Sequence, residues 1–93
     1  MTELLTAIVI KETDNVATAT RELRVGDTVT TKIGSCEQTV LIKSNIRFLH
    51  KFALININKG QYVIKYGQVI GKATIDIQSG EHVHVHNLRS LRG

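Results

Sequence analysis

Three histidines recur at every second position near the end of the chain, in the stretch Glu81-His82-Val83-His84-Val85-His86-Asn87. Successive side chains of a β-strand point to opposite faces, so this spacing predicts that the three imidazoles share one face while Val83 and Val85 face inward. Imidazole binds transition metals and titrates near neutral pH, whereas burying several unpaired imidazoles is costly. We therefore expect a histidine face that is either solvated or occupied by binding partners.

Strand geometry limits how many of these rings one metal ion could bind. Residues two apart on a strand are roughly 7 Å apart and residues four apart roughly 13 Å, whereas two nitrogens on one ion lie at most about 4 Å apart. One or two of His82, His84 and His86 could therefore bind the same ion, with further ligands from elsewhere in the chain, from substrate or from another chain. The alternatives are contact with an anionic substrate and a solvated strand edge whose histidines are incidental.

The other side chains that could do chemistry are scattered. His50 lies at the entry to an apolar stretch, which by itself indicates a structural role. Lys65 and Tyr66 adjoin Gly67, a turn residue, so an ammonium and a phenol could both reach a carboxylate there, although a surface lysine and a half-buried tyrosine are the simpler interpretation. The sequence has no Walker loop, GxGxxG, CxxC or HExxH motif. It contains parts of a site and no complete active site.

Short strands separated by turns are predicted to position these residues, because the chain is rich in Ile, Val and Thr and has only 4% aromatic residues. The predicted strands are Leu4–Ile10, Thr28–Ile33, Thr39–Ile42, Lys51–Ile55, Tyr62–Lys65, Val69–Ala73 and His82–Asn87. After the first of these, Asp14 could cap a short helix, Val16–Leu23. We expect a mainly β fold with one short helix after the first strand, in a single domain covering residues 1–93.

One turn pattern recurs before the predicted strands. An apolar residue is followed by Gly three positions later and by Val after three more, in Leu23–Val29, Ile57–Val63 and Ile77–Val83. The apolar residue would anchor in the core, Gly would adopt the turn conformation, and Val would begin the next strand. The uneven spacing of the copies excludes a solenoid, and the three copies together favour a compact, looped β domain.

Composition excludes several classes of protein. A net charge of +4 permits an anionic partner, but the basic residues form no cluster and the chain has only two Phe and two Tyr, so nucleic-acid binding is not predicted. The single cysteine, Cys36, excludes an internal disulfide and fits a reducing compartment. The apolar stretch at the N-terminus is too short and too polar for a signal peptide or a membrane span. We expect a cytoplasmic protein without a membrane partner.

Four motifs in order resemble the SAF domain found at the N-terminus of altronate and galactarate dehydratases and in the small subunit of sulfolactate sulfo-lyase. They are Asp14-Asn15-Val16-Ala17, His50-Lys51-Phe52-Ala53-Leu54, Ile64-Lys65-Tyr66-Gly67 with Ile70-Gly71, and Gly80-Glu81-His82-Val83-His84-Val85-His86-Asn87. The resemblance extends from about Ile8 to Asn87. One departure is Leu49, which stands where the family tends to have Gly before the His-Lys pair.

The resemblance implies a β-clip fold and the small subunit of a metal-dependent sugar-acid dehydratase. A separate large dehydratase subunit would hold most of the machinery and convert an aldarate or aldonate, a small anionic sugar acid, to a 2-keto-3-deoxy acid, while this domain completes or covers the site and is inactive alone. The implied cofactor is a divalent metal, Fe²⁺ or else Mn²⁺ or Mg²⁺, bound with the large subunit. The alternatives are a non-catalytic carbohydrate-acid-binding or assembly module and the small subunit of a sulfolactate sulfo-lyase. Assembly into a homo-oligomer is compatible with each.

The resemblance also assigns roles to individual residues. Elimination of water requires removal of the proton alpha to a carboxylate and stabilisation of the enediolate that forms, which a divalent metal and nearby cations can provide. The base is expected mainly from the large subunit. The roles carried over are catalytic for His50, His84 and His86, substrate-binding for Lys65, Tyr66 and Asn87, and metal-binding for one or two of His82, His84 and His86.

Overall fold

Every regular element of the fold is a β-strand, within the residues that the structure, a computed structural model, describes: 7–8, 13–33 and 36–91. The strands are β1 (Ala7–Ile8), β2 (Val16–Ala19), β3 (Thr28–Ile33), β4 (Cys36–Leu41), β5 (Lys51–Ala53), β6 (Tyr62–Lys65), β7 (Gln68–Ala73), β8 (His82–Val83) and β9 (Leu88–Ser90). The expectation of a mainly β fold is therefore confirmed. In that part of the chain, no helix has the length and apolar character needed to cross a membrane.

A central antiparallel sheet, in the order β1-β2-β5-β8, lies between two apolar cores. Ala17 and Phe52 are paired in register and belong to one core. Val16 and Ala53 are also paired and belong to the other. Because neighbouring residues of a strand face opposite sides, this division shows that both faces of the sheet are covered. All four residues of β2 are accordingly buried.

Two smaller sheets cover the faces of the central one. The β3–β4 hairpin contributes Val29 and Val40 to the core that contains Phe52. The three-stranded sheet, in the order β6-β7-β9, contributes Val63 and Ala73 to the core on the other side. The functional residues of the central sheet are thus held by packing from both directions.

The predicted helix at Val16–Leu23 is wrong, because Val16–Ala19 is strand β2. A surface helix buries one stripe of its surface, whereas this segment is buried on both faces of a sheet and its backbone pairs with strands on either side. The β-branched Val16 and Thr18 also favour the extended conformation. Asp14 caps no helix, and its Oδ1 instead accepts a hydrogen bond from the backbone N–H of Gly67, 2.7 Å away.

Most of the predicted strands are present. Thr28–Ile33 and Tyr62–Lys65 have the predicted bounds, while β4 begins three residues earlier than expected, β7 begins one residue earlier, and β5 ends two residues earlier. Of the first predicted strand, Leu4–Ile10, residues 7–8 are observed as β1, and the remainder lies outside the described residues.

The recurring turn occurs four times in the described part of the chain, one more than the sequence pattern indicated. The copies begin at the buried residues Leu23, Ile46, Ile57 and Ile77. These residues pair in two antiparallel bridges, Leu23 with Ile46 and Ile57 with Ile77. In each copy, the N–H of the fourth residue after the anchor donates to the carbonyl of the first residue after it. The four turns therefore form two matched pairs.

The third residue after each anchor has a positive φ. It is Gly26, Gly60 or Gly80 in three copies, with φ of 96°, 88° and 88°, and Leu49 in the copy that begins at Ile46, with φ of 67°. A side chain at such a φ is strained, so this position favours glycine. The sequence pattern was defined by glycine and then valine, and this copy has Leu49 and Phe52 at those two positions.

Candidate functional site: a histidine cluster beside two lysines

The histidine segment is a strand only at its start. β8 covers His82–Val83, and residues 84–87 form a turn. Val83 is fully buried as expected, but Val85 is 82% exposed. The prediction of one strand over 82–87 with both valines facing inward is therefore wrong from His84 onward.

The side chain of Asn87 explains the turn. Its Oδ1 accepts a hydrogen bond from the N–H of His84 at 2.9 Å, and its Nδ2 donates to the carbonyl of His82 at 2.8 Å. These bonds replace the partners that a neighbouring strand would supply, and they close the chain on itself. Asn87 is only 4% exposed, so the structure favours a role in positioning the histidines, and the direct substrate contact assigned to it stays a prediction.

The imidazole rings converge in spite of this turn, and His50 joins them. The ring of His50 stacks on those of His82 and His84, with centroids 5.1 and 4.7 Å apart. His82 also stacks on His84 at 5.3 Å and meets His86 in a tilted arrangement at 5.5 Å. The turn thus gathers rings that a regular strand would spread along its length.

Three of these histidines could hold a metal ion. One ligand nitrogen from each of His50, His82 and His84 lies within 4.8 Å of the other two. Nδ1 of His50 and Nε2 of His82 are 2.9 Å apart and share a hydrogen bond. Nitrogens bound to one ion lie at most about 4 Å apart, so small ring rotations would bring all three onto the same ion. Among the described residues, this three-ligand group includes His50 and does not include His86.

The recurring turn leaves the side chain of His50 available for this cluster. In the other three copies, the equivalent residues Asp27, Gln61 and Glu81 each accept a hydrogen bond from the backbone N–H three residues earlier. His50 instead directs a ring nitrogen to His82. Since β8 is paired with β5, which His50 immediately precedes, the two rings are held on adjacent strands.

Burial and neighbouring charge favour the neutral forms of His82 and His84 by lowering the pKa of each. The pKa of His82 is lowered from 6.5 to about 4, first by burial and then by the charges of His50, His84, His86 and Lys51. The pKa of His84 is lowered for the same kinds of reason, with burial first and the charge of His50 second. A neutral imidazole has a free lone pair, so both residues are ready to bind metal at neutral pH.

Two lysines, Lys51 and Lys65, lie near the side chains of Thr18 and Tyr66, and the sequence predicted a role for Lys65 alone. Lys51 is half-buried in β5, and its pKa is lowered by burial and then by the charge of Lys65. The Nζ of Lys65 lies 4.9 Å from the ring centroid of Tyr66. The Tyr66 hydroxyl donates to Oγ1 of Thr18 at 3.3 Å, and Thr18 is paired in register with Lys51. The signal that could have identified Lys51 was its place directly after His50 in the second motif.

The turn that carries Lys65 and Tyr66 is anchored by the first motif. Tyr66 and Gly67 have φ of 53° and 75°, the left-handed pair that suits a two-residue hairpin between β6 and β7. Asp14 accepts from the N–H of Gly67, and the side-chain amide of Asn15 both donates to and accepts from the backbone of β6. Tyr66 is strained at this φ, and these contacts hold it in place together with Lys65, so they position two of the three predicted substrate-binding residues.

The sequence of the chain matches that of a known family. The family model for the altronate/galactarate dehydratase SAF domain matches residues 5–91. The chain belongs to this SAF domain family.

Relatives of this SAF domain include two altronate dehydratases. The chain is 46% identical to that of Escherichia coli (strain K12) and 36% identical to that of Bacillus subtilis (strain 168), each over 83 residues. These matches cover 89% of the SAF domain but only 16% of each dehydratase. The (2R)-sulfolactate sulfo-lyase subunit alpha of Chromohalobacter salexigens is 41% identical over 51 residues, which are 55% of this chain and 54% of that subunit. The family is therefore one of lyases, and this chain spans a small part of the dehydratases.

Leu49 has the backbone conformation that is typical of glycine. The resemblance described above implies glycine before the His-Lys pair, and Leu49 adopts the left-handed φ that glycine would adopt without strain. The backbone N–H of Leu49 donates to the carbonyl of Ala19, just as the glycine at the third position of each other copy donates to a backbone carbonyl of another segment. The turn before His50 is therefore held in the same way as the other three.

Proposed function

We propose that this SAF domain is the small subunit of a sugar-acid dehydratase. It completes or covers the active site of a separate large subunit that converts an aldarate or aldonate to a 2-keto-3-deoxy acid. The observation that carries the proposal is the convergence of His50, His82 and His84, whose ligand nitrogens lie within 4.8 Å of one another. Membership of the family and the names of its dehydratase relatives support the reaction type.

The donor set indicates which metal fits. A divalent ion bound at these rings would act as a Lewis acid that stabilises the enediolate of the substrate. Imidazole nitrogens suit Fe²⁺, whereas Mg²⁺ prefers oxygen ligands, so we favour Fe²⁺. His50, His82 and His84 supply three nitrogens, and the remaining ligands come from the substrate and the large subunit.

The other residues of this chain bind substrate and move a proton. Lys65 and Tyr66 bind the substrate carboxylate. A base on the large subunit takes the proton from the carbon next to the carboxylate, and His86 gives a proton to the hydroxyl on the following carbon as its carbon–oxygen bond breaks. Water leaves, and the enol that remains tautomerises to the 2-keto-3-deoxy acid.

Reconstitution with the large subunit tests the proposal. We expect His82→Ala and His84→Ala to lower the iron content of the complex and to reduce turnover of altronate or galactarate at least about 100-fold, because each removes a ligand. Val85→Ala is the matched control: Val85 lies in the same turn and is exposed, so this variant retains both iron and activity. Full turnover by His84→Ala would contradict the assignment, and unchanged iron content in both histidine variants would favour a non-catalytic binding module.

A second candidate is the small subunit of a sulfolactate sulfo-lyase. The observation that favours it is size: this chain matches 54% and 75% of two sulfo-lyase alpha subunits, from Chromohalobacter salexigens and Paracoccus pantotrophus, but only 16% of the dehydratases. The same reconstituted complex distinguishes the two functions. Release of sulfite from (2R)-sulfolactate without dehydration of sugar acids identifies the sulfo-lyase.

A further inference from the structure

Lys51 is a half-buried cation that the reaction proposed above does not use. It lies in β5 between Thr18 of β2 and Val83 of β8, its partners in register, and directly follows His50. Its charge acts on His82 and His84. Strand alternation places the side chain of Lys51 on the face of Thr18 and Val83, opposite that of His82, in a strand held by neighbours on both sides.

Lys65 approaches Lys51 from a different sheet, the one formed by β6, β7 and β9. The Tyr66 hydroxyl donates to Oγ1 of Thr18, which is the strand partner of Lys51. The ammonium of Lys65 lies over the Tyr66 ring, and its charge acts on Lys51. The hydrogen bond between Tyr66 and Thr18 thus brings the ammonium groups of Lys51 and Lys65 to the same face of the central sheet.

The two charged groups at this place are both cationic. Lys51 is the strand partner of Thr18, Lys65 lies over the ring of Tyr66, and the hydroxyls of Thr18 and Tyr66 are hydrogen-bonded. Like charges that are partly removed from water repel one another and lose hydration, and both costs fall when an anion lies between them. Tyr66 adds a phenol at the same place, and each ammonium offers three donors.

We infer that Lys51 and Lys65 together bind an anionic group of the substrate, a carboxylate or a sulfonate, next to the hydroxyls of Thr18 and Tyr66. This inference rests on the proposed function and adds Lys51 to the substrate-binding residues. The two ammonium groups hold the anion through charge-assisted hydrogen bonds.

Titration of the metal-free full chain with small anions tests the inference, with the amide resonances followed by NMR at pH 8 in the presence of a chelator. The probes are sodium glycolate for a carboxylate, sodium methanesulfonate for a sulfonate, and ethylene glycol as the neutral control. We expect saturable shifts at Thr18, Lys51, Lys65 and Tyr66 with an anion and none with ethylene glycol. The anion that binds more tightly identifies the group. Equal shifts from sodium chloride at the same ionic strength would overturn the inference.

Variants test the role of each lysine. We expect Lys51→Gln and Lys65→Gln to weaken anion binding about tenfold or more, because each removes a charged donor, and Lys51→Arg to retain most of it. Lys72→Gln is the matched control, since Lys72 also stands over a tyrosine, 5.3 Å from the ring centroid of Tyr62, but belongs to β7. Lys65→Gln leaves the central sheet unchanged, so it remains informative if Lys51→Gln does not fold. Wild-type affinity in both glutamine variants would refute the role of the lysines.

The test of anion binding and the test of the proposed function can give different results. His82→Ala removes a metal ligand but neither lysine, so we expect it to lose iron and still bind the anion. If the lysine variants bind anions normally while the histidine variants lose turnover, the inference fails and the proposed function stands. If the lysine variants lose anion binding while the histidine variants retain iron and turnover, the inference stands and the proposed function fails.

Discussion

His82 has an environment that disfavours its charged form. Its strand is paired with β5, its ring stacks on His50 and His84, and Lys51 adds a further positive charge. These neighbours lower its pKa from 6.5 to about 4, with burial as the largest cause. The effect on stability follows from the difference between this pKa and the pKa of His82 in the unfolded chain, where the residue is solvated.

We expect the metal-free protein to lose stability as the pH falls from about 6.5 to about 4. In that range the unfolded chain protonates His82 and the folded chain does not, so acid favours unfolding. Because the ring is partly exposed, its contribution is on the order of 1–2 kcal/mol. Urea unfolding with a chelator at several pH values measures it. His82→Asn is expected to have a shallower pH dependence, and Val85→Ala to keep that of the parent. An identical slope in His82→Asn would contradict the prediction.

Individual site residues could be predicted where the pattern that marks them lies within a short stretch of sequence. His82 and His84 were recognised from their alternation, and both belong to the cluster. The role of His50 was underestimated from its own surroundings, because its hydrogen-bond partner His82 is 32 residues away. The effect of Asn87 was also missed, since a buried amide that bonds its own backbone leaves no periodic pattern.

At the scale of elements, the copy of the turn that begins at Ile46 and carries His50 differs from the other three at its third and fourth positions. Glycine occupies the third position in three copies and Leu49 in the other, with a φ of 67°. The side chain of Leu49 is 59% exposed, so little burial offsets the strain. The turn that presents His50 therefore contains a residue that its backbone does not favour.

We expect Leu49→Gly to raise the free energy of unfolding by about 1 kcal/mol, because it relieves a left-handed leucine and removes little buried surface. Val25→Gly is the matched control. Val25 is also exposed in one of the turns, at 62%, but does not have a positive φ, so glycine there is expected to destabilise by about 0.5–1 kcal/mol. Denaturant unfolding measures both. Destabilisation by Leu49→Gly would show that the leucine makes contacts that outweigh its strain.

The success of strand prediction depended on how each strand is buried. β3 and β6 lie in hairpins bounded by turn residues, and both were predicted with the correct bounds. β2 is buried on both faces, which removes the alternation of polar and apolar residues that identifies a strand. Short buried segments of this kind can equally be read as helix, and the mistake at Val16–Leu23 followed from that ambiguity.

At the scale of the whole molecule, Gly80 connects the β3–β4 hairpin to the central sheet. Its N–H donates to the carbonyl of Ala53, and its carbonyl accepts from the N–H of Lys43. A Cβ at this position would overlap the carbonyl oxygen of Leu41. The turn before β8 and the end of β4 are therefore in backbone contact, with no space for a side chain.

We expect Gly80→Ala to lower the free energy of unfolding by roughly 3 kcal/mol or more, since it adds a backbone clash to the strain of a positive φ. Gly26→Ala is the control, because Gly26 has a φ of 96° but open space around its Cβ position, and its expected cost is about 1–2 kcal/mol. Thermal or urea unfolding gives both values. Equal losses in the two variants would show that the hairpin moves aside without cost.

The central sheet has a dry core on each face, and this restricts the route by which a ligand reaches the histidines and lysines. Within the described part of the chain, apolar side chains line both broad surfaces, which leaves the strand ends, near the exposed Leu49, as the route for a small molecule. A large subunit that encloses the substrate would accordingly meet this domain along a narrow rim. We expect contacts at that rim to control how quickly substrate enters and product departs.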